Sequence, residues 1–128
     1  MKKAIEGKGL APAIGPYSAG VQWGNMIFTS GQIAMDPHTG ELCTSEGIAV
    51  ETERVLSNLQ AVLLAAGTDM KSVVKTSIFL SEMDHFGIVN DVYGRYFQEP
   101  YPARETVAVK TLPKNVNVEI SCIAMRKE

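Results

Sequence analysis

The sequence predicts an α+β fold, one mixed β-sheet with two helices packed on a single face. Three observations predict it. Apolar residues recur at helical spacing in two stretches, runs rich in Val, Ile and Thr supply the strands, and a strand–helix–strand passage in mid-chain calls for a right-handed parallel crossover. With both helices on one face, the other face of the sheet is bare.

The elements follow in order. A loop rich in Gly, Pro and Ala (residues 7–16) leads to a loosely alternating strand, Tyr17 to Trp23. Gly24-Asn25 tolerates positive φ and suits a two-residue turn, so Met26 to Thr29 reads as the returning strand. Asp36-Pro37-His38-Thr39-Gly40 is turn chemistry. Ile48, Thr52, Val55, Leu59, Val62, Leu63 and Ala66 share one helical face between Ser45 and Ala66, with Thr44 or Ser45 as the cap and Gly67 as the stop. Ser72 to Leu80 is a strand. Asp84 is placed to cap a second helix with a buried stripe of Phe86, Val89, Tyr93, Tyr96 and Phe97, which Pro100 and Pro102 end. Two further strands, Arg104 to Thr111 and Asn117 to Met125, read as neighbours joined around Pro113 to Val116.

Composition narrows the function classes. At 128 residues the chain reads as one domain, 1–128, able to bury a core without staples. A net charge of −2 with scattered Lys and Arg argues against nucleic acid as the main partner. Cys43 and Cys122 lie far apart and match no metal or redox spacing; His38 and His85 have no partner at ligand spacing, so no metal is expected. Glu6 and Gly7 interrupt the place where a signal peptide needs an apolar stretch, and no run is long enough to span a bilayer. The expectation is a cytoplasmic protein without a membrane partner.

The sharpest chemical signal is Arg104 in Pro102-Ala103-Arg104, followed by Glu119 in Val118-Glu119-Ile120. An Arg among small and β-branched residues needs an anion, and its planar fork matches a carboxylate. A Glu nearby offers proton transfer or a grip on water, so the pair suggests a pocket for a small carboxylic acid that undergoes hydrolysis. Alternation places Arg104, Thr106 and Ala108 on the bare face with Glu119, Ser121, Ile123 and Met125, and Val107 and Val109 on the helix side with Val118 and Ile120. That bare face is too apolar for water, and self-association is its natural cover. A hairpin register sets Glu119 opposite Lys110, leaving Arg104 roughly 20 Å away at ~3.4 Å per residue. The two could then share a ligand only between copies of the chain. An ion pair of Glu119 with Lys110, or of Arg104 across an interface, is the competing reading.

Taken together and in order, Ala13-Ile14-Gly15-Pro16-Tyr17-Ser18, Thr29-Ser30-Gly31-Gln32, Ala65-Ala66-Gly67, Val74-Lys75-Thr76, Val89-Asn90, Pro102-Ala103-Arg104, Leu112-Pro113 and Val118-Glu119-Ile120 resemble the RidA (YjgF) family over essentially the whole chain. The resemblance implies a chorismate-mutase-like fold, a homotrimer and ligand clefts between subunits. It implies hydrolysis of enamines and imines such as 2-aminoacrylate and 2-aminocrotonate to 2-oxo acids and ammonia. The protein itself would carry no cofactor and would clear intermediates leaked by pyridoxal-phosphate-dependent dehydratases. In that frame Arg104 holds the substrate carboxylate and Glu119 activates water. Tyr17 donates a proton or walls the ligand, and Ser30, Gly31, Asn90 and Thr106 complete the binding set. Tyr17 reads equally as an interface aromatic and Asn90 as a helix-surface residue. Glu105 stands where the family usually has a small residue and Thr106 where many members have Cys. A non-catalytic 2-oxo acid sensor and an endoribonuclease or translation inhibitor are the alternatives.

Overall fold

The computed structural model describes residues 1–127. Its elements are β1 (Lys3–Ala4), β2 (Gly20–Trp23), β3 (Met26–Thr29), α1 (Ile48–Ala65), β4 (Val73–Leu80), α2 (Phe86–Tyr93), β5 (Ala103–Ala108) and β6 (Val118–Met125). They form one six-stranded mixed sheet in the order β1-β2-β3-β6-β4-β5. Only β4 and β5 run parallel, as the crossover through α2 requires. Both helices cover one face. Val55, Leu59, Val62 and Leu63 of α1 meet Ile27, Ile78, Ile120 and Ala124 of the sheet in a core that also takes Val89, Val92 and Tyr93 of α2.

Local chemistry explains the boundaries. Gly24 at φ 59 makes the β2–β3 turn, and Gly67 at φ 80 ends α1 as expected. The expected Thr44 or Ser45 cap is not used: Gly47, at φ 100, occupies the N-cap without a side-chain hydrogen bond. Asp84 likewise does not cap α2; it lies inside a 3-10 turn, Met83–His85, that leads into the helix. The helix stops at Tyr93, well before the prolines, and Phe97 is buried from the turn that follows. β1 was not foreseen; two residues are too few to show a period.

The largest departure concerns β5 and β6, which are not neighbours: β4 lies between them. Glu119 therefore stands opposite Phe79, not Lys110, and Arg104 opposite Thr76. The faces of β5 are also reversed. Thr76, Ile78 and Leu80 are buried under the helices, so their register partners Arg104, Thr106 and Ala108 belong to the helix side. Glu105 and Val107 look to the uncovered side with Ser77 and Phe79. There Glu105 pairs with Lys75 at 3.6 Å and accepts a hydrogen bond from Ser77 at 3.1 Å. The β6 alternation is as expected: Val118, Ile120, Cys122 and Ala124 inward, Glu119, Ser121, Ile123 and Met125 outward. Met26, Phe28, Val107 and Met125 leave that outer face apolar and exposed.

Candidate active site

The predicted residues separate into two clusters on opposite faces of the sheet. The first surrounds Arg104 on the edge strand β5. Phe86, Asn90 and Tyr93 share one face of α2 at i, i+4, i+7 spacing and meet the guanidinium there. Arg104 Nη1 donates to Asn90 Oδ1 at 2.7 Å, and Cζ lies 5.0 Å from the Tyr93 ring centroid and 5.4 Å from that of Phe86. These are cation–π distances. Among the described residues no carboxylate reaches Arg104; it faces a cleft of about 490 Å³ lined by Asn90, Tyr93, Gly94, Tyr101 and Pro102. Thr106, two residues along the same face, holds a hidden hydroxyl oxygen with no hydrogen-bond partner among the described residues.

The second cluster contains Glu119, Gly31, Ser30 and Tyr17. Gln32 exchanges backbone hydrogen bonds with Ile120 (2.8 and 3.1 Å), which lays the loop after β3 directly against β6. Asn58 of α1 fixes the far end of this loop by donating to the carbonyls of Ile33 and Met35. A Cβ on Gly31 would lie 2.6 Å from Glu119 Cδ and 2.9 Å from Cγ, so a larger residue here would push the carboxylate from its present place. Burial pushes the Glu119 carboxyl above its usual value of 4.5, with no charge partner to oppose it. Ser30 donates its hydroxyl to the Ser18 carbonyl at 2.6 Å, tying the strand end to the segment that carries Tyr17. Tyr17 Oη accepts from the Ile14 N–H at 3.2 Å, and its ring is half exposed.

Residues outside the expected set hold these clusters. Glu51, fully buried in the first turn of α1, accepts from the N–H groups of Asn117 (2.7 Å) and Val118 (3.0 Å) and from Asn117 Nδ2 (2.9 Å). It anchors the chain immediately before Glu119. Thr76, also fully buried, shares a 2.8 Å hydrogen bond with the Tyr93 hydroxyl. Burial raises the Tyr93 pKa above 10, with Thr76 and the Arg104 charge opposing it, so the phenol stays neutral. The i, i+4, i+7 spacing of Phe86, Asn90 and Tyr93 was a readable signal for the Arg104 platform; nothing in the sequence singled out Glu51.

Comparison with known proteins shows the family. The family described as endoribonuclease L-PSP matches residues 8–126. The mouse (Mus musculus) 2-iminobutanoate/2-iminopropanoate deaminase is 42% identical over 126 residues, 98% of this chain and 93% of that one. This chain belongs to the RidA (YjgF) family. Another relative, protein DfrA of Myxococcus xanthus, is 48% identical over 126 residues, covering 97% of this chain and 95% of the other. Among solved structures of RidA relatives, E. coli TdcF with bound serine superimposes with a TM-score of 0.90 at 39% identity, over 98% of this chain and 99% of TdcF.

Proposed function

We propose that this protein hydrolyses small reactive 2-aminoenoic acids and their imines, such as 2-aminoacrylate and 2-aminocrotonate, to 2-oxo acids and ammonia. The observation that carries this reading is the guanidinium of Arg104, stacked, hydrogen-bonded to a neutral amide and open to a cleft. Such a group retains donors for a planar carboxylate, and each charge-assisted hydrogen bond is worth about 1.5–3 kcal/mol. The names of the mouse deaminase and of serine-bound TdcF support the substrate class.

The enamine carbon takes a proton, supplied by Tyr17 or solvent, to give the iminium. Water then adds to the C=N carbon while Glu119 accepts its proton, and the resulting carbinolamine expels ammonia as the carbonyl forms. A carboxyl raised by burial is a stronger base than an ordinary Glu, and such a positioned base contributes on the order of 10²–10⁴-fold. Glu119 and Arg104 lie on opposite faces with β4 between their strands, so one copy cannot bring them to one small ligand. The reading therefore includes a homotrimer in which Arg104, Asn90 and Thr106 of one copy meet Tyr17, Ser30, Gly31 and Glu119 of the next. The exposed apolar face of the sheet supplies a surface for that association.

The natural source of substrate is a pyridoxal-phosphate-dependent dehydratase, and a cytoplasmic location accords with two free cysteines. No helix among the described residues is long and apolar enough to cross a membrane. Addition of the protein to a serine or threonine dehydratase should speed 2-oxo acid release without changing amino-acid consumption; no acceleration sinks the catalytic reading. Binding of 2-oxobutyrate without acceleration would favour a sensor. The family description favours one other activity, endoribonuclease; RNA cleavage lost in Arg104→Ala would place that chemistry in the same cleft.

A further inference from the structure

We infer that Tyr93, held by Thr76, is a positioning residue that sets the direction of the Arg104 guanidinium. The inference rests on the assignment of Arg104 as the carboxylate-binding group. Thr76 and Arg104 are register partners on adjacent parallel strands, and both belong to the helix side of the sheet. Tyr93 descends from α2 onto both. Its hydroxyl binds Thr76 Oγ1 at 2.8 Å and its ring lies 5.0 Å from Arg104 Cζ. The loop of contacts is closed: strand to strand, Thr76 to Tyr93, ring to guanidinium.

A ring free to tilt about its χ angles would let an exposed arginine sample many directions. A ring pinned at its hydroxyl by a fully buried threonine does not tilt. Asn90, three residues earlier on α2, takes one N–H of Nη1, and Phe86 supplies a second aromatic surface. The remaining N–H groups are left for a ligand in the cleft. Tyr93 and Thr76 need touch no substrate to do this. Tyr93 also packs on Phe97, with ring centroids 4.4 Å apart, so its position is coupled to the helix core.

The test compares Tyr93→Phe, Tyr93→Leu, Thr76→Val and Thr76→Ser. Two readouts are needed, the dissociation constant for 2-oxobutyrate and the order of the Arg104 Nε–H group by ¹⁵N relaxation, with Arg54 as an internal reference. Loss of the ring in Tyr93→Leu should weaken binding on the order of tenfold. Tyr93→Phe and Thr76→Val should weaken it a few-fold, and Thr76→Ser should restore it. Arg104 should become mobile in the same ranking while Arg54 does not change. In an Arg104→Ala background the Tyr93→Leu penalty should vanish. Unchanged Arg104 order in Tyr93→Leu, equal loosening of Arg54, or a penalty that persists without Arg104 would each overturn the inference. If the wild type does not bind 2-oxobutyrate but Arg104 order still follows Tyr93, the positioning stands and the proposed activity falls.

Discussion

Around Arg104, α2 contributes two aromatic rings and an amide, whereas the side chain of Glu119 lies against the bare backbone of Gly31. The guanidinium is steered by neighbours but keeps an open side. Among the described residues no side-chain donor or cation neutralises Glu119; it is half-buried, and that partial burial alone raises its pKa. The contrast suits the two proposed tasks. A group that must hold an anion in one orientation gains from stacking and a fixed amide. A group that must exchange a proton gains from a raised pKa, which an arginine partner would cancel.

The comparison can be broken first at Arg104. If Arg104 holds the substrate carboxylate as proposed, Arg104→Ala removes those charge-assisted bonds, and kcat/KM for imine hydrolysis should fall about 10²–10⁴-fold in a dehydratase-coupled assay, with the oligomer intact. Glu119→Gln should lower kcat by on the order of 10²-fold while 2-oxobutyrate binding changes little, separating chemistry from binding. Gly31→Ala should approach that kcat loss, because the added methyl occupies the place of the Glu119 side chain; full activity would show that the carboxylate need not sit there.

Much of this was legible before the structure, and the failures have physical causes. The helices, the Gly24 turn and the outward placement of Glu119 followed from periodicity, since Val118, Ile120, Cys122 and Ala124 alternate cleanly with larger or polar partners. Ala103 to Ala108 carries no such signal: small, charged and β-branched residues appear on both sides, which is why alternation alone puts Arg104, Thr106 and Ala108 on the wrong face. Proximity in sequence then suggested a β5–β6 hairpin. The apolar character of both faces of β6, with Ile123 and Met125 outward, is the mark of a central strand, and Arg104-Glu105 that of an edge. Those two marks put β6 inside the sheet and β5 at its edge, as the structure has them. The Thr76–Tyr93 and Glu51 contacts depend on tertiary geometry and had no local signature.

A smaller effect sharpens the Glu119 half through pH. Because its carboxyl titrates above 4.5 in the folded protein, the acid limb of kcat/KM should lie above that value and should disappear in Glu119→Gln. Stability carries the same sign. A folded pKa raised above the unfolded one favours folding at low pH, and that contribution is lost as pH rises through the folded value. Glu119→Gln should therefore match the wild type near pH 4 and melt higher near pH 7.

The central claim is that the two halves meet only between copies of the chain, and mixing two inactive variants tests it most directly. Arg104→Ala and Glu119→Gln, unfolded together and reassembled in equal amounts, should regain about a quarter of wild-type activity, since random pairing reunites an intact arginine with an intact glutamate at that share of the interfaces. Mixed oligomers verified by native mass spectrometry but as inactive as either parent would contradict it.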